Sequence, residues 1–88
     1  MNSEKIKKLV LEILNSPRPT LKQDDVLKLY KQYFKDNNKT EEEYEMFISQ
    51  NNNPIMLNCG LYDIIPFYKK KLNIITIKDK ENKILINY

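Results

Sequence analysis

Apolar residues fall at helical spacing through the first half of the chain and at strand spacing near its end. Ile6, Leu9, Val10, Ile13 and Leu14 repeat at i, i+3, i+4, i+7 and i+8, one stripe of a helix over 3–15. Lys5, Lys7, Lys8 and Glu12 occupy the rest of its surface. Ser3 is placed to cap this helix, and Ser16-Pro17 ends it, because a residue before proline is pushed out of the α region. A second stripe, Val26, Leu29, Tyr30, Tyr33 and Phe34, is widened by Leu21 and Leu27 and predicts a helix that starts at Thr20. There Thr20 and Gln23 form a capping box, and Asp36-Asn37-Asn38 stops the helix. The box recurs at Thr40 with Glu43, opening a short third helix with Tyr44, Phe47 and Ile48 inward; Asn51-Asn52-Asn53-Pro54 closes it.

Ile55-Met56-Leu57 is too short to assign and reads as an edge strand or a buried connector. A fourth short helix follows from Gly60, with Asp63 as N-cap and Pro66 in its first turn, where a missing N–H costs nothing. The chain then carries two β-rich runs, Leu72 to Ile77 and Ile84 to Tyr88. A two-residue loop at Glu81-Asn82, with Asn82 accepting positive φ, pairs Ile77 with Ile86 and Ile75 with Tyr88. That register lines Ile75, Ile77, Ile84, Ile86 and Tyr88 on one face, and a slip of one residue would place Asn87 there instead. A lone hairpin is marginal in water, so it must pack on the helices, and Ile77→Asp is expected to unfold the chain.

Composition narrows the chemistry. Eighty-eight residues make one small domain, 1–88, whose core must be used fully. With no His, no Trp and a single Cys, the chain has no disulfide framework, no His-containing triad and no His zinc site. Ser3, Ser16 and Ser49 lack an imidazole partner and the lone Gly60 builds no phosphate loop, so the expectation is that the chain is not an enzyme and uses no cofactor. Cys59 reads as a buried small apolar residue. Glu41, Glu42, Glu43 and Glu45 are explained by the helix dipole rather than by a metal, so no metal is expected. No apolar run approaches a membrane span and the N-terminus lacks a signal peptide's apolar segment; the expectation is a cytoplasmic protein with no membrane and no small-molecule substrate. Abundant Lys, Asn and Ile with no Ala and one Arg look like an AT-rich genome, plasmid or virus.

Charge is partitioned along the chain. Residues 1–39 hold nine basic against five acidic side chains; 40–63 hold five acidic and no basic ones; 64–88 hold six against two. Such asymmetry bears on partners rather than on fold. The six lysines of the last segment are Lys69, Lys70 and Lys71 at a helix end and Lys78, Lys80 and Lys83 around a hairpin tip. As point charges they suit phosphates better than base edges. Their alternative roles are a solvated helix end favoured by the dipole and the protection of a strand edge. Lys28, Lys31 and Lys35 read as the wet face of the second helix, and Tyr30, Tyr33 and Tyr44 as core.

A short basic helix running from Asp63-Ile64-Ile65-Pro66-Phe67-Tyr68-Lys69-Lys70-Lys71 into an aliphatic strand, a charged tip and a second aliphatic strand resembles the winged helix-turn-helix family. The resemblance is closest over residues 60–88. It implies an α+β fold of three to four helices with a C-terminal β-hairpin wing, a recognition helix in the major groove and a wing against the backbone. The tip lacks the Gly and Arg often found in such wings. The implied function is double-stranded DNA binding, as a transcriptional regulator or as an accessory at a plasmid or phage origin, partition or transfer site. The residues expected at the nucleic acid are Lys69, Lys70, Lys71, Lys78, Lys80, Lys83, Tyr68 and Asn82, with Asn58 and Tyr62 as further base readers. A homodimer is expected, because one short helix gives a small interface that symmetry doubles. The alternative is a protein-interaction module or phage- or plasmid-type inhibitor whose acidic helix, 41–50, meets a basic partner.

Overall fold

The computed structural model describes residues 3–16 and 21–87. Four helices precede a two-stranded antiparallel hairpin: α1 (Ser3–Leu14), α2 (Gln23–Asp36), α3 (Glu41–Gln50), α4 (Pro54–Lys71), β1 (Ile75–Lys78) and β2 (Ile84–Asn87). The chain is an α+β domain with a winged-helix-like layout. Its core is helical. Ile6, Leu9, Val10 and Ile13 of α1 meet Val26, Leu29 and Tyr30 of α2 and Leu57, Leu61, Ile64, Ile65 and Tyr68 of α4, with Leu21 and Ile74 closing the ends. α3 contributes no fully buried residue; Tyr44, Phe47 and Ile48 only lean on the core.

Of the two expected capping boxes, the one at Thr40 supplies its N-cap bond. Thr40 accepts the Glu43 N–H at 3.1 Å. α2 instead begins at Gln23 with Lys22 as N-cap and no side-chain cap, while Thr20 lies outside the described residues.

The fourth helix corrects the sequence reading. Ile55-Met56-Leu57 is neither strand nor connector, and Asp63 caps nothing: 54–71 is one helix of 18 residues. Asn53 is its N-cap, accepting from the N–H groups of Ile55 (3.0 Å) and Met56 (3.4 Å), and Pro54 takes the N1 position that suits proline. Pro66 therefore sits in the helix interior, where it has no N–H to offer the Tyr62 carbonyl. The stripe Leu57, Leu61, Ile64, Ile65, Tyr68 runs unbroken past both Gly60 and Pro66, and its burial outweighs the cost of both. Cys59, expected to be buried, falls off this stripe and is exposed. Gly60 also has a packing role, since a Cβ there would overlap the Tyr30 hydroxyl, which donates to the Leu57 carbonyl at 2.7 Å.

Asparagine does at three turns what glycine does in most proteins. Asn38 (φ 60°), Asn73 (φ 52°) and Asn82 (φ 63°) all take the left-handed conformation, which asparagine tolerates better than most residues. At the end of α4 the Ile74 N–H reaches the Lys69 carbonyl and the Asn73 N–H the Lys70 carbonyl, the two bonds of a Schellman cap. Asn38 and Lys39 repeat the motif at the end of α2.

The hairpin differs from the expected pairing by one residue. Ile75 pairs with Asn87, Thr76 with Ile86, Ile77 with Leu85 and Lys78 with Ile84. The cause is the tip. The Asp79 carbonyl accepts the Asn82 N–H, the Asp79 N–H donates to the Lys83 carbonyl, and Asp79 Oδ1 accepts from the N–H groups of Glu81 and Lys83, both at 2.9 Å. This makes a three-residue loop, Lys80-Glu81-Asn82, where two residues were expected. The extra residue turns Ile75 and Ile77 outward with Leu85, while Ile84 and Ile86 face inward with Thr76. Tyr88, expected on the inner face, lies outside the described residues.

Candidate nucleic-acid interface

The two lysine trios stand at the two ends of the hairpin. Lys69, Lys70 and Lys71 occupy the last turn of α4. Backbone N–H groups already satisfy the Lys69 and Lys70 carbonyls through the Schellman cap, so no lysine side chain is needed there as a cap. Lys69 is half-buried, and Lys70 and Lys71 are exposed. The Lys71 ammonium lies 6.0 Å from the centre of the Phe67 ring. At the other end Lys78, Lys80, Asn82 and Lys83 are all exposed around the Asp79-organised loop. At about 3.3 Å per residue, Ile74 to Lys80 spans roughly 20 Å, so the trios form the ends of a strip rather than one cluster.

Among the described residues, ion pairs join Lys5 to Asp25 (3.7 Å) and Lys31 to Glu41 (3.1 Å), and neither involves the two trios. Glu81 lies between the tip lysines in sequence without pairing with them. The strip therefore carries its positive charge without a paired carboxylate among the described residues.

Tyr68 does not belong to this surface. It is fully buried and its hydroxyl donates to Asp36 Oδ2 at 2.9 Å, tying α4 to α2. Burial, reinforced by that bond to a carboxylate, raises its pKa far above the ordinary phenol value. It packs edge-on against Tyr33 and Phe67. Asn58 is likewise buried, its amide donating to the Pro54 carbonyl at 3.1 Å. Neither side chain faces a ligand. Tyr62 does reach the surface, and its hydroxyl donates to the Ser16 carbonyl at 3.4 Å.

A hollow between the end of α1 and the second half of α4 was missed in the sequence. Leu14, Ile65 and Pro66 form its apolar floor, and Tyr62, Lys69 and Lys70 stand around it. Tyr62, Pro66, Lys69 and Lys70 share one face at i, i+4, i+7 and i+8, a spacing visible only when 54–71 is read as one helix. Asn15 was also missed. Its Nδ2 donates to the Ile84 carbonyl and its Oδ1 accepts the Ile84 N–H, both at 2.8 Å, clasping β2 to α1.

The second basic surface is α2. Lys28, Lys31, Gln32 and Lys35 line a hollow with Lys5. Its lysines are partly engaged: Lys31 pairs with Glu41, whose bond raises the Lys31 pKa, and lies 5.9 Å from the centre of the Tyr44 ring. Among the described residues no group of three or more His, Cys, Asp or Glu is placed to hold a metal, and no helix is long and apolar enough to cross a membrane. Comparison of the chain with protein-family models, curated proteins and solved structures found no match in any of the three.

Proposed function

We propose that this chain binds double-stranded DNA as a winged-helix-like homodimer in the cytoplasm, either regulating transcription or serving as an accessory to plasmid or phage DNA processing. The observation that carries the reading is the strip of Lys69, Lys70, Lys71, Lys78, Lys80 and Lys83, none paired with a described carboxylate, from the end of α4 to the hairpin tip. A strip of roughly 20 Å matches about six base-pair steps of duplex at 3.4 Å each, enough for contacts to several phosphates. Lysine supplies charge without base reading, so affinity is expected to exceed sequence discrimination. Asn82 at the tip and Tyr62 beside Lys69 are the exposed side chains left to touch bases or sugars. No catalysis, cofactor or small-molecule substrate is assigned in this reading.

Duplex titration against salt tests it. With about five phosphates neutralised, log affinity falls linearly with log salt at a slope near −4 to −5. A Lys69/Lys70/Lys71→Ala variant keeps its helical circular dichroism and loses most affinity. Absence of binding to any duplex at about 50 mM salt sinks the reading, because counterion release is strongest there.

A second reading draws on α3. It buries no residue fully, and it exposes Glu41, Glu42, Glu43, Glu45 and Met46, the last at 63%. An exposed acidic helix with an apolar residue among its charges supports an interaction module that meets a basic partner protein.

A further inference from the structure

The two edges of the hairpin are treated differently. On β2, the N–H and carbonyl of Ile84 point away from β1 and are both taken by Asn15. β1 is the outer strand: the hairpin reaches the helices through β2 and α1. In the observed register Thr76 is a non-bonded position, so its N–H and carbonyl point outward, and among the described residues nothing receives them. Sheet edges are ordinarily blunted by a charge, a proline or a bulge. On β1 the charge is confined to its last residue, Lys78; Ile75-Thr76-Ile77 has none, and Ile75 and Ile77 are 53% and 49% exposed.

We infer that the β1 edge pairs antiparallel with β1 of a second copy of this chain, with Thr76 on the two-fold axis. This rests on the homodimer half of the reading above and names its interface. The occupant is a second copy because Ile75-Thr76-Ile77 is palindromic about Thr76. Antiparallel self-pairing sets Ile75 against the other copy's Ile77 on both sides of the axis, on the exposed face, and pairs the two Thr76 residues through both backbone bonds. The joint ladder is confined to Ile75-Thr76-Ile77, because the Ile74 N–H is already taken by the Lys69 carbonyl and Lys80 lies in the hairpin loop. Like charges at both ends oppose the pairing, so salt and polyanions strengthen it. Four-residue strands bury well under the roughly 800 Å² per partner of a standard interface, so the association is weak and reversible.

Analytical ultracentrifugation of the full chain, without DNA, tests the pairing at about 0.1 M and about 0.5 M salt, bracketing the screening range. A reversible dimer is expected that tightens with salt. Thr76→Pro removes the outward N–H without touching the β1–β2 ladder and lowers association about tenfold or more. Ile77→Lys does the same by placing charge beside the axis, and covers the case in which the proline variant fails to fold. A chain monomeric at about 1 mM at both salts, far above the expected weak association, overturns the proposal. So does a dimer that neither variant weakens, since it uses another surface. Duplex titration separates the two readings: binding by a strictly monomeric chain sinks the pairing alone, and a dimer that ignores duplex sinks the DNA reading alone.

Discussion

The helical core and the hairpin are held by different means. Across α1, α2 and α4, apolar stripes interdigitate and two tyrosines lock the helices through buried hydroxyls, Tyr30 on the Leu57 carbonyl and Tyr68 on Asp36. The hairpin packs Ile74 and Ile86 against that core and is pinned by one asparagine, Asn15. Its outer face carries Ile75, Ile77 and Leu85 into solvent. The core is closed on itself, whereas the hairpin leaves both an apolar face and a strand edge for something else. Burial is concentrated in the first, and the exposed apolar face and strand edge lie in the second.

The contrast breaks most sharply at the core. Leu61 is fully buried, so Leu61→Ala should cost about 2–5 kcal/mol by chemical denaturation. High pH attacks the same region. Unfolded tyrosines ionise near pH 10, while burial, with Asp63 and Cys59 nearby, holds Tyr30 up to about 12. Between those values the unfolded chain loses its proton first, so stability holds below pH 10 and falls as pH climbs toward 12. Thermal melts from pH 8 to 12 should show that decline, and Tyr30→Phe should lessen it, the rest coming from Tyr68, whose pKa is raised as well.

Gly60→Ala would raise helix propensity in an isolated helix, yet here it should destabilise by about 1–3 kcal/mol, because the new methyl overlaps the Tyr30 hydroxyl. With Tyr30→Phe the overlap disappears, so a double-mutant cycle should show coupling of about 1 kcal/mol or more. Asn15→Ala moves the effect to the hairpin. It should cost about 1–2 kcal/mol and speed amide exchange at Ile84 while leaving α2 and α4 protected. The smallest effect sharpens the comparison most. Ile77, expected from the sequence to be core, is 49% exposed, so Ile77→Asp should change stability by about 0.5 kcal/mol or less. A variant that unfolds would return the hairpin to the core.

The candidate site was legible where charge alone defines it. Lys69, Lys70, Lys71, Lys78, Lys80, Lys83 and Asn82 are all at the surface or its margin, because long cations and turn asparagines stay near water wherever their elements go. Tyr68 was misread because its neighbours in sequence are lysines, while its neighbour in space is Asp36 of α2. The hollow under Tyr62 was hidden by starting the fourth helix at Gly60 with Asp63 as its cap. Local breaker rules price one residue at a time, and the stripe from Leu57 to Tyr68 is a sum over five.

What the sequence determined by itself is what depends on near neighbours: three helices from their apolar periods, the Thr40 cap, the left-handed Asn82 and the segregation of charge. Tertiary structure decided the rest. Tyr30 gave Gly60 its place in a helix, and the apolar stripe carried Pro66. The hairpin register followed from Asp79 closing a three-residue loop and from Asn15 claiming both polar groups of Ile84 from 69 residues away. Alternation of side chains sets which two faces a strand offers, but which face meets the core is settled by the partner that anchors it.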